Sequence, residues 1–154
     1  MFEDVRDLYN ATIIERGRRP QHMHRLEAFD ATAQGDNPMC GDRVRVWVKF
    51  ATDGAIAETG FDARGCEISK ASADLMVEAV QGRQPADARA LFAAFRTLAQ
   101  TGQCPACAEA LAPLLPLASV HEYPSRVKCA TLAWQALVAA LDQPAGTTGE
   151  TSRE

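Results

Sequence analysis

Apolar positions recur along this chain with two different periods, and each change of period marks the passage from one kind of element to another. Phe2, Val5, Leu8, Tyr9, Ala11 and Ile13 follow helical spacing, so residues 2–18 are predicted to form a helix that "RGRRPQHMHR" and Pro20 bring to an end. Residues 26–33 read as a short strand, and "QGDNP" after them as a turn cluster. The clearest strand is "RVRVWVKF", where Val44, Val46, Val48 and Phe50 face one way and Arg43, Arg45, Trp47 and Lys49 the other. Asp53-Gly54 is a strong hairpin signal, and "AIAETGFDA" returns as the partner strand.

From there the period lengthens. Ile68, Ala71, Leu75, Met76 and Ala79 line one face of a helix over residues 67–81, closed by Gly82. "PADARALFAAFRTLAQTG" gives a second helix with Leu91, Phe92, Phe95 and Leu98 apolar. "QCPACAEALAPLLPLASVHEYP" contains enough proline to be limited to short helical turns. A last helix starts near Pro124, a favourable first-turn residue, and covers residues 125–141, with Trp134 spaced to join Leu137, Val138 and Leu141 in the core. Strands first and helices afterwards is the α+β pattern: a three-stranded antiparallel sheet covered on one face by helices. A three-stranded sheet cannot bury itself, so helices 67–81 and 125–141 are expected to cover its apolar side. Residues 1–142 are expected to form a single domain, and the polar stretch 143–154 a disordered tail.

Composition narrows the function. At 154 residues, 47% hydrophobic and 23% charged, the chain suits one ordinary globular core. No apolar run reaches the roughly 18 residues of a membrane span. The opening "MFEDVRDLYN" carries acids where a secretory signal carries bases, so the expected location is the cytoplasm. A formal charge of −4 argues against a nucleic-acid partner.

Five cysteines, at 40, 66, 104, 107 and 129, are an odd number for a reducing compartment, which turns attention from disulfides to metal or sulfur chemistry. Cys40 enters the long strand with Asp42 two positions on; Cys66 sits where a strand meets a helix, behind a glycine; Cys129 lies early in the last helix. The last two are placed where a helix dipole favours thiolate, the form that binds metal and attacks sulfur. Three thiolates and one carboxylate could make a tetrahedral zinc site, and the same thiolates could hold an iron–sulfur cluster. Spacing does not choose between them.

The words around these residues are more specific. "NPMCGD", then "GCEIS" followed by "ASADLM", then "SRVKCATLAWQAL" resemble, in order, the three motifs of the U-type iron–sulfur cluster assembly proteins (the IscU, SufU and NifU N-terminal family). "LYNATIIERGRRPQH" is similar to that family's opening helix and its exit, so the resemblance runs from about Leu8 to Leu141. The SufU branch is the better match. Lys128 stands where the Isc branch carries a histidine before its last cysteine, and the segment between Cys66 and Cys129 is long.

The resemblance implies a SufU/IscU-like fold and a zinc ion held by Cys40, Asp42, Cys66 and Cys129. It also implies a partner role beside a pyridoxal-phosphate cysteine desulfurase of the SufS type, with downstream iron–sulfur assembly or acceptor proteins. On this expectation Cys40 accepts persulfide sulfur, a sulfurtransferase-like act. The alternative is a scaffold that builds and passes on a [2Fe–2S] cluster.

Some residues depart from that pattern or stand outside it. Glu67 replaces the family's usual alanine; an acid in a first helical turn suits the dipole. Cys104 and Cys107 form a Cys-x-x-Cys pair read first as reduced surface or core cysteines without function; a redox dithiol, a second sulfur relay near Cys40, or half a metal site completed by His22 and His24, otherwise surface residues, are the alternatives. His121 is expected in a solvated loop, and Arg126 either at an exposed helix start or paired with Asp42 or the desulfurase.

Overall fold

Strict alternation builds the sheet. The computed structural model describes residues 10–37, 41–103, 109–142 and 147–148. Within it β1 (Ala31–Asn37), β2 (Asp42–Phe50) and β3 (Ile56–Arg64) form an antiparallel meander. β1 runs against β2 from Ala31 opposite Val48 to Asn37 opposite Asp42. β2 runs against β3 from Arg43 opposite Arg64 to Phe50 opposite Ile56, with one irregularity between Lys49 and Phe50. The hairpin turns where expected: Gly54 has φ +90°, and Asp53 Oδ1 accepts from the Ala55 N–H at 3.0 Å. A two-residue strand, β4 (Thr147–Thr148), pairs in parallel with Ala31 and Thr32 at the outer edge of β1. The remainder of the expected tail lies outside the described residues.

β1 corrects the sequence reading. It begins at Ala31 rather than 26, and takes in Gln34–Asn37, which composition marks as a turn. Pairing supplies what composition does not show: every one of those residues has a register partner on β2. Gly35 also allows a helix to come close, since a Cβ there would lie 3.0 Å from Leu132 Cδ1.

The helices are α1 (Ala11–Arg18), α2 (Glu67–Val80), α3 (Pro85–Thr101) and α4 (Pro124–Leu141). α1 begins later than its spacing suggests, because Asn10 is extended (φ −72°, ψ 174°) and its side chain accepts from the Ile13 N–H at 3.1 Å. The predicted continuous helix over 2–18 is therefore interrupted at Asn10; residues 1–9 lie outside the described part. The proline-rich segment, expected to hold only short turns, is instead a 3-10 helix from Glu109 to Glu122. Its buried residues Leu111, Leu114, Leu117 and Val120 recur every third position, the repeat that makes a 3-10 helix amphipathic.

α2 and α4 cover the face carrying Val44, Val46 and Val48, all fully buried, which gives the α+β layering expected. Ser72 on α2 donates to the carbonyl of Ala130 on α4 at 2.5 Å, tying the two covering helices together. Trp134 of α4 stacks on Phe95 of α3 at 5.2 Å between ring centroids and is buried, as predicted. The other sheet face is partly crossed by the segment after α1. A Cβ on Gly60 would run into the His24 carbonyl, and the Arg25 guanidinium lies 5.7 Å from the Trp47 ring. Trp47 is consequently buried although it faces away from the helices.

Candidate metal centre

Three of the four residues singled out as ligands meet at one end of this sheet. The alternation that buries Val44, Val46 and Val48 also turns Asp42, the first residue of β2, toward the helices, where it is only 3% exposed. Cys66 is the N-cap of α2 (φ −76°, ψ 164°), and its sulfur accepts from the Ser69 N–H at 3.5 Å. Cys129 lies in the second turn of α4 and is buried. Sγ of both cysteines and a carboxylate oxygen of Asp42 all lie within 4.8 Å of one another. Cys40, the fourth, lies outside the described residues, as do Cys104 and Cys107.

Hydrogen bonds fix this arrangement. Asp42 Oδ1 accepts from the Cys66 N–H at 3.1 Å, and Oδ2 accepts from the Ser69 hydroxyl at 2.6 Å and the Cys66 thiol at 3.2 Å. Ser69 Oγ lies 3.2 Å from the Cys129 carbonyl as well, so one buried hydroxyl touches all three segments. Gly65 makes the geometry possible. Its φ of +136° suits glycine alone, and a Cβ there would fall on the Asp42 carboxylate. Ser69 was not singled out in the sequence; the signal was its place three residues after the helix-capping cysteine, where the first turn folds back on the cap.

Charge at the site is uneven. Burial works against ionisation of Asp42, yet hydrogen bonds from Ser69, Cys66 and Cys129 prevail and hold its carboxyl below the ordinary range. The Cys66 thiol is brought down to about 6, first by its hydrogen bond with Cys129 and then, against burial, by the Ser69 N–H and hydroxyl. Cys129 moves the other way, pushed far up by its contact with Cys66 and by burial. Both helix-end thiols were expected to be acidic. Only Cys66 is, because the hydrogen bond between the two sulfurs favours one thiolate over two, and the Ser69 N–H and hydroxyl add to it on the Cys66 side, whereas Cys129 contacts the Ser125 carbonyl one turn back at 3.6 Å.

The donor set suits a thiophilic divalent cation. Two sulfurs and one carboxylate oxygen, all at the ends of rigid elements, are ligands zinc accepts. Among the described residues no lysine, arginine or histidine forms an ion pair with Asp42, so the negative charge gathered here lacks a side-chain counter-ion. Lys128 is exposed and brings no imidazole. His22 bonds Glu78 Oε2 at 2.9 Å, and His121 bonds the Ala118 carbonyl at 2.9 Å. Arg126 is half-buried in the first turn of α4, its N–H donating to Tyr123. Glu67 is not simply solvated: it pairs with Arg18 Nε at 3.2 Å, and a Cβ on Gly17 would meet its Cβ at 2.5 Å.

Comparison with known proteins identifies the family. The NifU-like N terminal domain family matches residues 8–143. The iron–sulfur cluster assembly scaffold protein IscU of Streptococcus pyogenes serotype M1 is 39% identical over 138 residues, spanning 90% of this chain and 85% of the relative. The zinc-dependent sulfurtransferase SufU of Bacillus subtilis (strain 168) is 34% identical over 131 residues, 84% of this chain and 86% of the relative. A crystal structure from Fervidobacterium islandicum AW-1, described as a putative iron–sulfur cluster assembly scaffold protein for the SUF system, superposes with a TM-score of 0.82 at 27% identity. It covers 90% of this chain and all of that one.

Proposed function

Because this chain belongs to the NifU-like N-terminal domain family of iron–sulfur cluster assembly proteins, we propose that it is a zinc-dependent sulfur acceptor. In this reading Cys40, Asp42, Cys66 and Cys129 hold the ion, and Cys40 takes sulfur from a pyridoxal-phosphate cysteine desulfurase of the SufS type. The observation that carries the proposal is the convergence of Asp42, Cys66 and Cys129 within 4.8 Å. Cys40 precedes Asp42 by two residues, and covalent geometry keeps their Cα atoms within about 7 Å. It is the natural fourth donor. Residues 1–142 act as one working domain, and a cytoplasmic setting suits free thiols.

Zinc, when bound, keeps its thiolates deprotonated at neutral pH while blunting their nucleophilicity. The chain's own residues do the rest. Gly65 and Ser69 hold the Asp42 carboxylate in place, and contacts with Cys129 and Ser69 favour the Cys66 thiolate. Cys40 supplies the nucleophile. Its thiolate attacks the outer sulfur of the donor's cysteine persulfide. A new S–S bond forms to Cys40, the donor's S–S bond breaks, and the donor's cysteine leaves as a thiolate, so no external oxidant or reductant is needed. Downstream iron–sulfur assembly or acceptor proteins then receive the sulfur.

The absence of a histidine at position 128 and the relation to the Bacillus sulfurtransferase support this reading. The streptococcal relative, named a scaffold, supports a second one, assembly of a [2Fe–2S] cluster on the same donors. Metal analysis of protein purified without reconstitution separates the two. One zinc per chain without iron is expected; iron with acid-labile sulfide would favour the scaffold. In the Cys40→Ser variant zinc should remain while stimulation of the desulfurase, and the added sulfur found on Cys40 by mass spectrometry, disappear.

A further inference from the structure

The sheet face away from the helices carries an open groove of about 800 Å³. Its lining holds five cations, Arg25, Arg43, Arg45, Arg64 and Lys70, against one carboxylate, Asp62, in a chain whose formal charge is −4. Such a concentration has to be built against the overall composition. Trp47 forms part of the floor, and Gly65, the residue before Cys66, also lines the groove.

The register sharpens the point. Arg43 and Arg64 stand directly opposite each other on β2 and β3, on the same face, a like-charge pairing that costs stability. Arg43 is partly answered by Asp36 at 2.7 Å, and Arg45 by Gln34 at 3.2 Å. Arg25, Arg64 and Lys70 form no ion pair with any described residue. Arg25 is held over Trp47, Arg64 ends β3, and Lys70 lies one turn into α2 after Cys66. A cationic trough is thus laid across the sheet and ends at Gly65, whose backbone abuts the Asp42 carboxylate.

We propose that this groove docks an acidic, extended segment of the protein that donates sulfur, orienting its persulfide toward the metal centre. The inference rests on the sulfur-acceptor reading and adds the chemistry of the partner's contact. Charge complementarity is its basis, since a row of carboxylates would relieve the Arg43–Arg64 opposition and neutralise the three unpaired cations. Gly65, which lines the groove and abuts the Asp42 carboxylate, links it to the candidate metal centre.

The test pairs Arg25→Glu/Arg64→Glu with Lys49→Glu, which reverses a charge on the same face outside the groove. Each zinc-loaded full-length variant is titrated into a SufS-type desulfurase with cysteine as substrate, and separately with a hexaglutamate peptide and with inorganic phosphate. The milder Arg25→Gln/Arg64→Gln variant guards against misfolding. The double reversal is expected to raise the half-saturating concentration roughly tenfold, leave maximal stimulation and zinc content unchanged, and abolish peptide binding. Lys49→Glu should change neither, and added salt should weaken the wild type in the same direction. Unchanged half-saturation, a loss confined to the maximal rate, or binding of phosphate without the peptide would each overturn the proposal. If the wild type neither stimulates the desulfurase nor gains sulfur on Cys40, the sulfur-acceptor reading fails. The peptide titration then still decides the groove: binding lost in the double reversal upholds an acidic-segment site, and no binding by the wild type removes it.

Discussion

Two aspartates are buried against α2, and their surroundings are opposite. Asp74, fully buried, accepts from Arg16 Nη1 at 2.7 Å and from the His22 N–H at 2.7 Å. Arg16 also reaches Glu78 at 2.7 Å, so α1 brings its own cation to this junction. Asp42, 3% exposed, accepts from a hydroxyl, a backbone N–H and the thiols. The first carboxylate fastens α1 and the following loop to α2. The second sits among sulfurs, without a side-chain cation among the described residues. A buried carboxylate is costly unless its charge is answered, so the contrast separates a joint from a candidate cation site.

The sharpest way to break the comparison is to remove a thiol. Cys66→Ser or Cys129→Ser should lower zinc affinity by on the order of 100-fold or more in a chelator competition, beyond the usual effect of an outer partner, whereas Asp74→Asn should leave it unchanged. Stability distinguishes the carboxylates next. Asp74→Asn should cost about 2–3 kcal/mol in denaturant unfolding whether or not zinc is present, because Arg16 loses a charged hydrogen bond. Asp42→Asn should cost about 1 kcal/mol in metal-free protein and should cancel most of the gain that zinc gives the wild type. Equal losses in both variants under both conditions would erase the distinction.

Titration sharpens it further. In metal-free protein Cys66 alkylation should follow a midpoint near pH 6, with Cys129 protected well above that. The folded pKa of Cys66 lies below its usual value of 9.0, so ionisation stabilises the fold fully above pH 9. That contribution is lost as pH falls through about 6. A midpoint near 9 would contradict the contact with Cys129 as the cause of the shift. The smallest expected effect belongs to Ser69→Ala, which should weaken zinc binding roughly tenfold through loss of the hydroxyl that orients Asp42.

Much of this was legible in the chain, and the exceptions have physical causes. Period-two alternation in "RVRVWVKF" located β2 and, extended back to Asp42, its buried face. Asp53-Gly54 located the hairpin. β1 was misplaced because its last residues are turn formers by composition, held extended only by their partners on β2. The 3-10 helix was hidden because its apolar period is three, while prolines drew attention to breaks. Of the site, Asp42, Cys66 and Cys129 were legible from motif and element ends. Ser69 was not, since a buried serine's role depends on which strands and helices meet above it. The cationic trough was visible only as alternate arginines on β2 until the register set Arg43 against Arg64.

Zinc-edge X-ray absorption on wild-type protein purified without reconstitution tests the central claim most directly. The expected first shell is three sulfurs at about 2.3 Å and one oxygen at about 2.0–2.2 Å, falling to two sulfurs in Cys129→Ser. A shell of only oxygen and nitrogen, or one unaltered by Cys129→Ser, would contradict it.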